Sequence, residues 1–238
     1  MSATASSNFA IVYVWERPVR LAHWCIVLSI AVLSVTGLYI GTPFLIVTGQ
    51  AGQHFTMGWA KVLHFYAALV FVLALLARIL WMFVGNRYAH WSQFIPVGRD
   101  RWSRLLPTLQ FYLFLRREPP PVLGHNPLAG LTYLLVYGLC LTAAATGLAL
   151  YSASASGFMH GFNFLVPLVG GLQTARWIHH VVMWLLLGFA VHHVYSAILM
   201  SSTERTATME SIFSGYKFMP RETLPTLDRP FHEASARR

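Results

Sequence analysis

Four histidines fall in one apolar stretch, Arg176 to Met200, as the adjacent pairs His179-His180 and His192-His193. An imidazole can ligate a metal, relay a proton or form a hydrogen bond, and inside hydrocarbon it has to do one of these. His179 and His193 stand 14 positions apart. At about 100° per residue they return to within roughly 40° of one helix face, roughly 21 Å apart along the axis. Steps of 12 or 13, the other cross-pairs, leave the side chains about 120° or more apart. One face therefore carries an imidazole towards each end of the stretch. On this stretch alone two readings stand together: each ring bonds a neighbouring helix, or the pair serves a cofactor or proton path.

The elements that must position these rings follow from composition. Of 238 residues, 56% are hydrophobic and 11% charged, against the usual quarter charged in soluble domains. That predicts a multi-span membrane protein. The net charge of +9 is distributed by loop, not gathered on a nucleic-acid-binding face. Cys25 and Cys140 lie inside apolar runs and read as packing residues. Without a Cys-x-x-Cys-His motif, covalently attached c-type haem is excluded, as is a Cys-rich iron–sulfur site. The first 18 residues lack a basic start followed by an apolar core, so no cleaved signal peptide is expected.

The reading is an all-α membrane protein, a four-helix bundle. Residues 1–18 are a polar N-terminus ending in Trp15-Glu16-Arg17-Pro18, the proline suited to a helix's first turn. The membrane domain covers 19–200, with spans at about 19–40, 62–84, 127–150 and 175–200. Between the second and third spans, Arg101 to Arg117 alternates basic with aromatic or leucine residues. It is too short to span and reads as an interfacial amphipathic helix, ended by Pro119-Pro120-Pro121. Residues 201–238 are a polar tail.

Charge sets the topology. Of the seventeen Lys and Arg residues, six lie in the Gly85–Asn126 loop, six in the tail, and Arg17 and Arg20 at the front. Lys61 and Arg176 flank the opposite side, and Arg78 sits within a span. The positive-inside rule places both termini and the long loop in the cytoplasm. His64 and His179 then lie at the outer level and His23 and His193 at the inner one. Two imidazoles from different helices, converging at one level, are what axial ligation of haem iron requires.

Three further features agree. Arg20, Lys61 and Arg176 each precede a histidine by three positions, one turn nearer the surface, where a cation offsets a haem propionate. Gly37 and Gly147, each after a threonine, would let a flat macrocycle approach the backbone, although close helix packing also uses glycine. His180 and His192 face away and read as hydrogen-bonded to neighbours or lipid headgroups. His54, His90, His125, His160 and His232 fall in loops or the tail and read as solvated.

Arg20-Leu-Ala-His23-Trp24 with Thr36-Gly37, Arg176-Trp-Ile-His179-His180, His193-Val-Tyr195 and Ser211-Ile-Phe-Ser-Gly215-Tyr-Lys217 resemble the cytochrome b subunit of membrane-bound nickel–iron hydrogenases. The resemblance covers the chain to about residue 220. It implies two b haems and electron transfer from the hydrogenase small subunit to membrane quinone, with the large subunit reached through the small one. This chain would itself hold no hydrogen-oxidising site. By analogy with the related formate dehydrogenase gamma subunits, Asn126 before Pro127 stands at a quinone-binding position, with Arg78 or the Arg101–Arg117 segment at its border. Competing readings are a formate dehydrogenase-type subunit, a histidine-based proton channel or transporter, and an intramembrane zinc hydrolase. The last is disfavoured because no span contains Asp or Glu.

The charge count makes a direct prediction. Reporter fusions after Gln53 and Gly161 will read periplasmic, and those after Arg101 and Arg221 cytoplasmic. A periplasmic signal at Arg221 overturns the level assignment of every histidine.

Overall fold

The computed structural model describes residues 8–44, 55–95, 99–118, 120, 124–204 and 206–221. His54, His232, Pro119 and Pro121 lie outside them. Four helices are long and apolar enough to cross a membrane: α1 (Arg17–Gly41), α2 (Thr56–Val84), α4 (Pro127–Ser152) and α6 (Leu172–Glu204). Between them lie α3 (Arg99–Tyr112) and α5 (Leu165–Leu168), and α7 (Ser211–Ser214) follows. At about 1.5 Å per residue even α1 exceeds the roughly 30 Å hydrocarbon thickness.

Sequence grammar explains the helix ends. Pro18 and Pro127 occupy first turns, where the missing N–H costs nothing. Asn126 caps α4, its Oδ1 accepting from the Ala129 N–H at 2.7 Å. Gly170 and Gly171, with φ of +83° and +94°, make the left-handed turn into α6 that side chains resist. The amphipathic helix is α3, with Pro107 inside it. It stops earlier than expected: Phe114 is left-handed at φ 60°, and the Leu115 N–H returns to the Gln110 carbonyl at 2.8 Å. That αL closure, not the triple proline, ends the helix.

Two compact units divide the chain. The first comprises 1–20, 81–137 and 189–238, the second 21–80 and 138–188. In the second, all four long helices contribute, and neighbours are fixed by side chains. Thr36 of α1 meets His64 of α2, and Phe65 of α2 meets Tyr151 of α4 at a ring separation of 4.5 Å. Thr146 of α4 meets His179 of α6. The Nε2 of His180, also on α6, lies against Gly41 of α1. The helices thus close in the order α1, α2, α4, α6.

The first unit holds what the polar reading of both termini missed. β1 (Phe9–Tyr13) pairs antiparallel with β2 (Tyr216–Pro220), in a register running from Phe9 opposite Pro220 to Tyr13 opposite Tyr216. Among the described residues, the protein is therefore helical with one two-stranded sheet added. Behind the sheet, Val14, Trp15, Val19, Tyr88, Ala89 and Met219 form a buried cluster. The Trp15 indole donates to Ser211 Oγ at 3.0 Å. The Glu16 carboxylate accepts from the Trp81 indole and the Asn86 amide, both at 2.8 Å. Arg20 donates to the Phe213 carbonyl. N-terminus, tail and the end of α2 are thereby tied together.

Gly215 is the joint. Its φ is +92° and a Cβ there would stand 2.8 Å from the Trp15 carbonyl oxygen, while its own carbonyl accepts from the Val14 and Trp15 amides. Gly215→Ala should loosen this tie by about 1–3 kcal/mol. The readout is faster tryptic cleavage at Arg221 and a lower melting temperature in detergent; unchanged protection would mean the joint tolerates a side chain.

Candidate functional site

The same small device occurs twice in the second unit. Thr36 Oγ1 lies 2.8 Å from His64 Nδ1, and Thr146 Oγ1 lies 2.9 Å from His179 Nδ1. Each hydroxyl also reaches back one turn along its own helix, Thr36 to the Val32 carbonyl and Thr146 to the Thr142 carbonyl, both at 2.7 Å. A hydroxyl has one proton, and the backbone carbonyl can only accept it. The threonine oxygen must then accept from the ring, which places the histidine proton on Nδ1. The Nε2 lone pair of each imidazole is left available. Both threonines are buried, so no water competes for these bonds.

The residue after each threonine completes the cradle. A Cβ on Gly37 would come within 3.3 Å of His64 Cε1, and one on Gly147 within 3.1 Å of His179 Cε1. Both are tighter than ordinary van der Waals contact. The body lying over each glycine is therefore the imidazole. His64 and His179 belong to the same unit.

The inner-level candidates fall in separate units. His23, half-buried on α1, meets Trp24 edge-on at 5.3 Å. His193 on α6 stacks on Phe189 at 5.3 Å, one turn back. Its Nδ1 lies 3.4 Å from the Tyr133 hydroxyl of α4. Of the three cations, Arg20 holds the tail, whereas Lys61 and Arg176 are exposed, Arg176 donating to Gln173 at 3.3 Å. Asn126 is buried with its oxygen committed to the helix cap. Arg78 is buried in the second unit, while Asn126 belongs to the first.

Among the remaining histidines, His180 Nδ1 donates to the Arg176 carbonyl at 2.9 Å, and His192 pairs with Ser196 at 3.0 Å. Both make local bonds on their own helix. His90 caps a short 3₁₀ turn through Ser92, and His160 is exposed. His125 is different. Instead of being a solvated loop residue, it packs among Trp15, Phe94 and Tyr133 at ring separations of 4.8, 5.2 and 5.0 Å. Its carbonyl and Gln93 both accept from Arg101. The sequence alone assigns no role to Thr36, Thr146 or Tyr133, and it reads His125 as solvated. The repeated Thr-Gly dipeptide was the available signal for the first two.

The family model of prokaryotic cytochrome b561 matches residues 14–215. The chain belongs to this family. Similar relatives include the "Probable Ni/Fe-hydrogenase B-type cytochrome subunit" of Bradyrhizobium diazoefficiens, 38% identical over 90% of this chain and 91% of the relative. The "Probable Ni/Fe-hydrogenase 1 B-type cytochrome subunit" of Escherichia coli (strain K12) is 38% identical over 90% of this chain and 94% of its own length. A third, from Rhodobacter capsulatus, is 34% identical over 87% and 81%. As a cytochrome b561, this is a multi-pass membrane protein, and haem b is the group its family implies. The residues fit that group. Two half-buried imidazoles, each with Nδ1 occupied and Nε2 available, would supply the nitrogen donors that bis-histidine iron takes.

Glycine beside each ring carries its own test. Gly147→Ala must push the His179 ring by a few tenths of an ångström, because its Cβ would stand 3.1 Å from Cε1. Lower haem occupancy or a shifted Soret band is expected, with Gly138→Ala, where nothing lies within 4 Å, left unaffected. Identical spectra for the two variants would remove the cradle role.

Proposed function

We propose that this chain is the di-haem b subunit of a membrane-bound nickel–iron hydrogenase, carrying electrons from the hydrogenase small subunit to membrane quinone. The observation that carries the reading is the duplicated threonine–glycine–histidine cradle at His64 and His179. The near full-length relatives support it by the partner that their names print. His64 and His179 would hold the outer haem. His23 and His193 would hold the inner one, a pairing supported by the 14-residue spacing of His179 and His193 on α6. Arg20, Lys61 and Arg176 would face propionates, Arg20 while also holding the tail carbonyl.

When bound, haem b supplies a reversible one-electron iron couple. What the chain contributes is position: rings with a defined open nitrogen, helices that exclude water, and a path across the bilayer. Hydrogen oxidation yields two protons and two electrons outside. Quinone takes two electrons and two protons to become quinol. Drawing those protons from the cytoplasm would separate charge with no pump in this chain. Asn126 remains the proposed quinone contact through its Nδ2, since its oxygen serves the cap. Both termini would be cytoplasmic, as the basic loops favour, in an inner-membrane complex with the small and large subunits and no nucleic acid.

A reduced-minus-oxidised spectrum with haem counted per chain tests this. Two low-spin b haems are expected, His64→Ala or His179→Ala removing one and His23→Ala or His193→Ala the other. A colourless protein would return the histidines to a proton-path reading. Co-purification with formate dehydrogenase activity and no hydrogenase would reassign the donor.

A further inference from the structure

We propose that Thr36 and Thr146 are positioning residues for electron transfer: their hydroxyls take the Nδ1–H of His64 and His179, fix Nε2 towards the iron, and hold that haem at a lower reduction potential than unbraced histidines would. The proposal rests on the ligand assignment above and goes beyond it.

Two observations carry it. The bonds are short, 2.8 and 2.9 Å, and each oxygen has its own proton directed to a carbonyl 2.7 Å away. Such a threonine is a one-way acceptor for the ring. Pulling on Nδ1–H makes the imidazole a stronger donor at Nε2, which favours ferric over ferrous iron. The arrangement also recurs on two separate helix pairs, α1 with α2 and α4 with α6, each time with glycine next to the threonine. A hydroxyl needed only to brace neighbouring helices would not have to meet a histidine in both places.

Spectroelectrochemical titration of the purified complex, with haem counted per chain, tests the inference on Thr36→Val, Thr146→Val, the double variant and both serine variants. Valine keeps the shape and removes the acceptor. Each valine variant should retain two haems and raise one midpoint only, the same one for both, with a larger rise in the double variant. Serine should restore the original value. Loss of one haem in a valine variant, with retention in its serine counterpart, supports the same role. Unmoved midpoints in valine variants that keep both haems would reduce the threonines to helix braces. So would loss of haem in serine and valine variants alike. Should His64→Ala and His179→Ala instead keep both haems, the ligand assignment fails, and that result is separate from any threonine outcome.

Discussion

An imidazole in hydrocarbon has two nitrogens to satisfy and no water to do it. In the second unit, this constraint sets the identity of three residues at a time. One ring nitrogen goes to a threonine hydroxyl, so the threonine must face the histidine-bearing helix. Its own proton needs an acceptor, and the carbonyl one turn back takes it, leaving the hydroxyl oxygen to accept from the ring. Cε1 is bonded to Nδ1, so it lies against the next residue of the threonine helix, where a Cβ would intrude. Threonine followed by glycine is the solution on α1 and again on α4. What remains is a single lone pair per ring, and iron is the partner that the family implies.

The first unit solves a different problem, the fixing of helix ends outside the apolar region. α1 and α6 stand far apart in sequence, and hydrophobic spans slide easily along one another in lipid because tails offer no preference for register. Here the strand before α1 pairs with the strand after α7, and Trp15 to Ser211 and Glu16 to Trp81 add directional bonds. Glu16 is satisfied by two neutral N–H donors, which costs less specificity than an ion pair and still orients the carboxylate. Arg20 adds the tail carbonyl. A residue singled out for a propionate thus already has a structural occupation, and the two roles are compatible because a guanidinium has five donors.

The four spans were legible because bulk hydropathy and length leave few alternatives, and the loop charges followed from counting. The histidine candidates were legible because ionisable groups are rare in apolar runs. The sheet was not. Five residues at each end, Phe-Ala-Ile-Val-Tyr and Tyr-Lys-Phe-Met-Pro, carry too little periodicity to outweigh a polar neighbourhood, and their pairing joins opposite ends of the chain. The end of α3 was misplaced for another reason: proline announces a stop in sequence, whereas a phenylalanine at positive φ does not. Asn126 before Pro127 was read for quinone although Asn-Pro is also an N-cap signal. His125 was read as solvated because a loop position says nothing of the aromatic rings that other segments bring to it. Thr36 and Thr146 were seen only as neighbours of glycine, since a back-bonded hydroxyl in a helix ordinarily serves its own backbone.

The repetition across two helix pairs gives these local solutions a common sense. α1 meets α2 and α4 meets α6 through the same threonine–histidine bond, with glycine after each threonine. A hydroxyl that served only to brace two helices would have no need of an imidazole in both places. A threonine whose proton is spent on its own backbone can only accept, and so draws on the ring. In the proposed reading, the potential of the haem held by His64 and His179 would thus be tuned by hydrogen bonds to the outer nitrogens of its ligands, which a comparison of the ligands alone would not show.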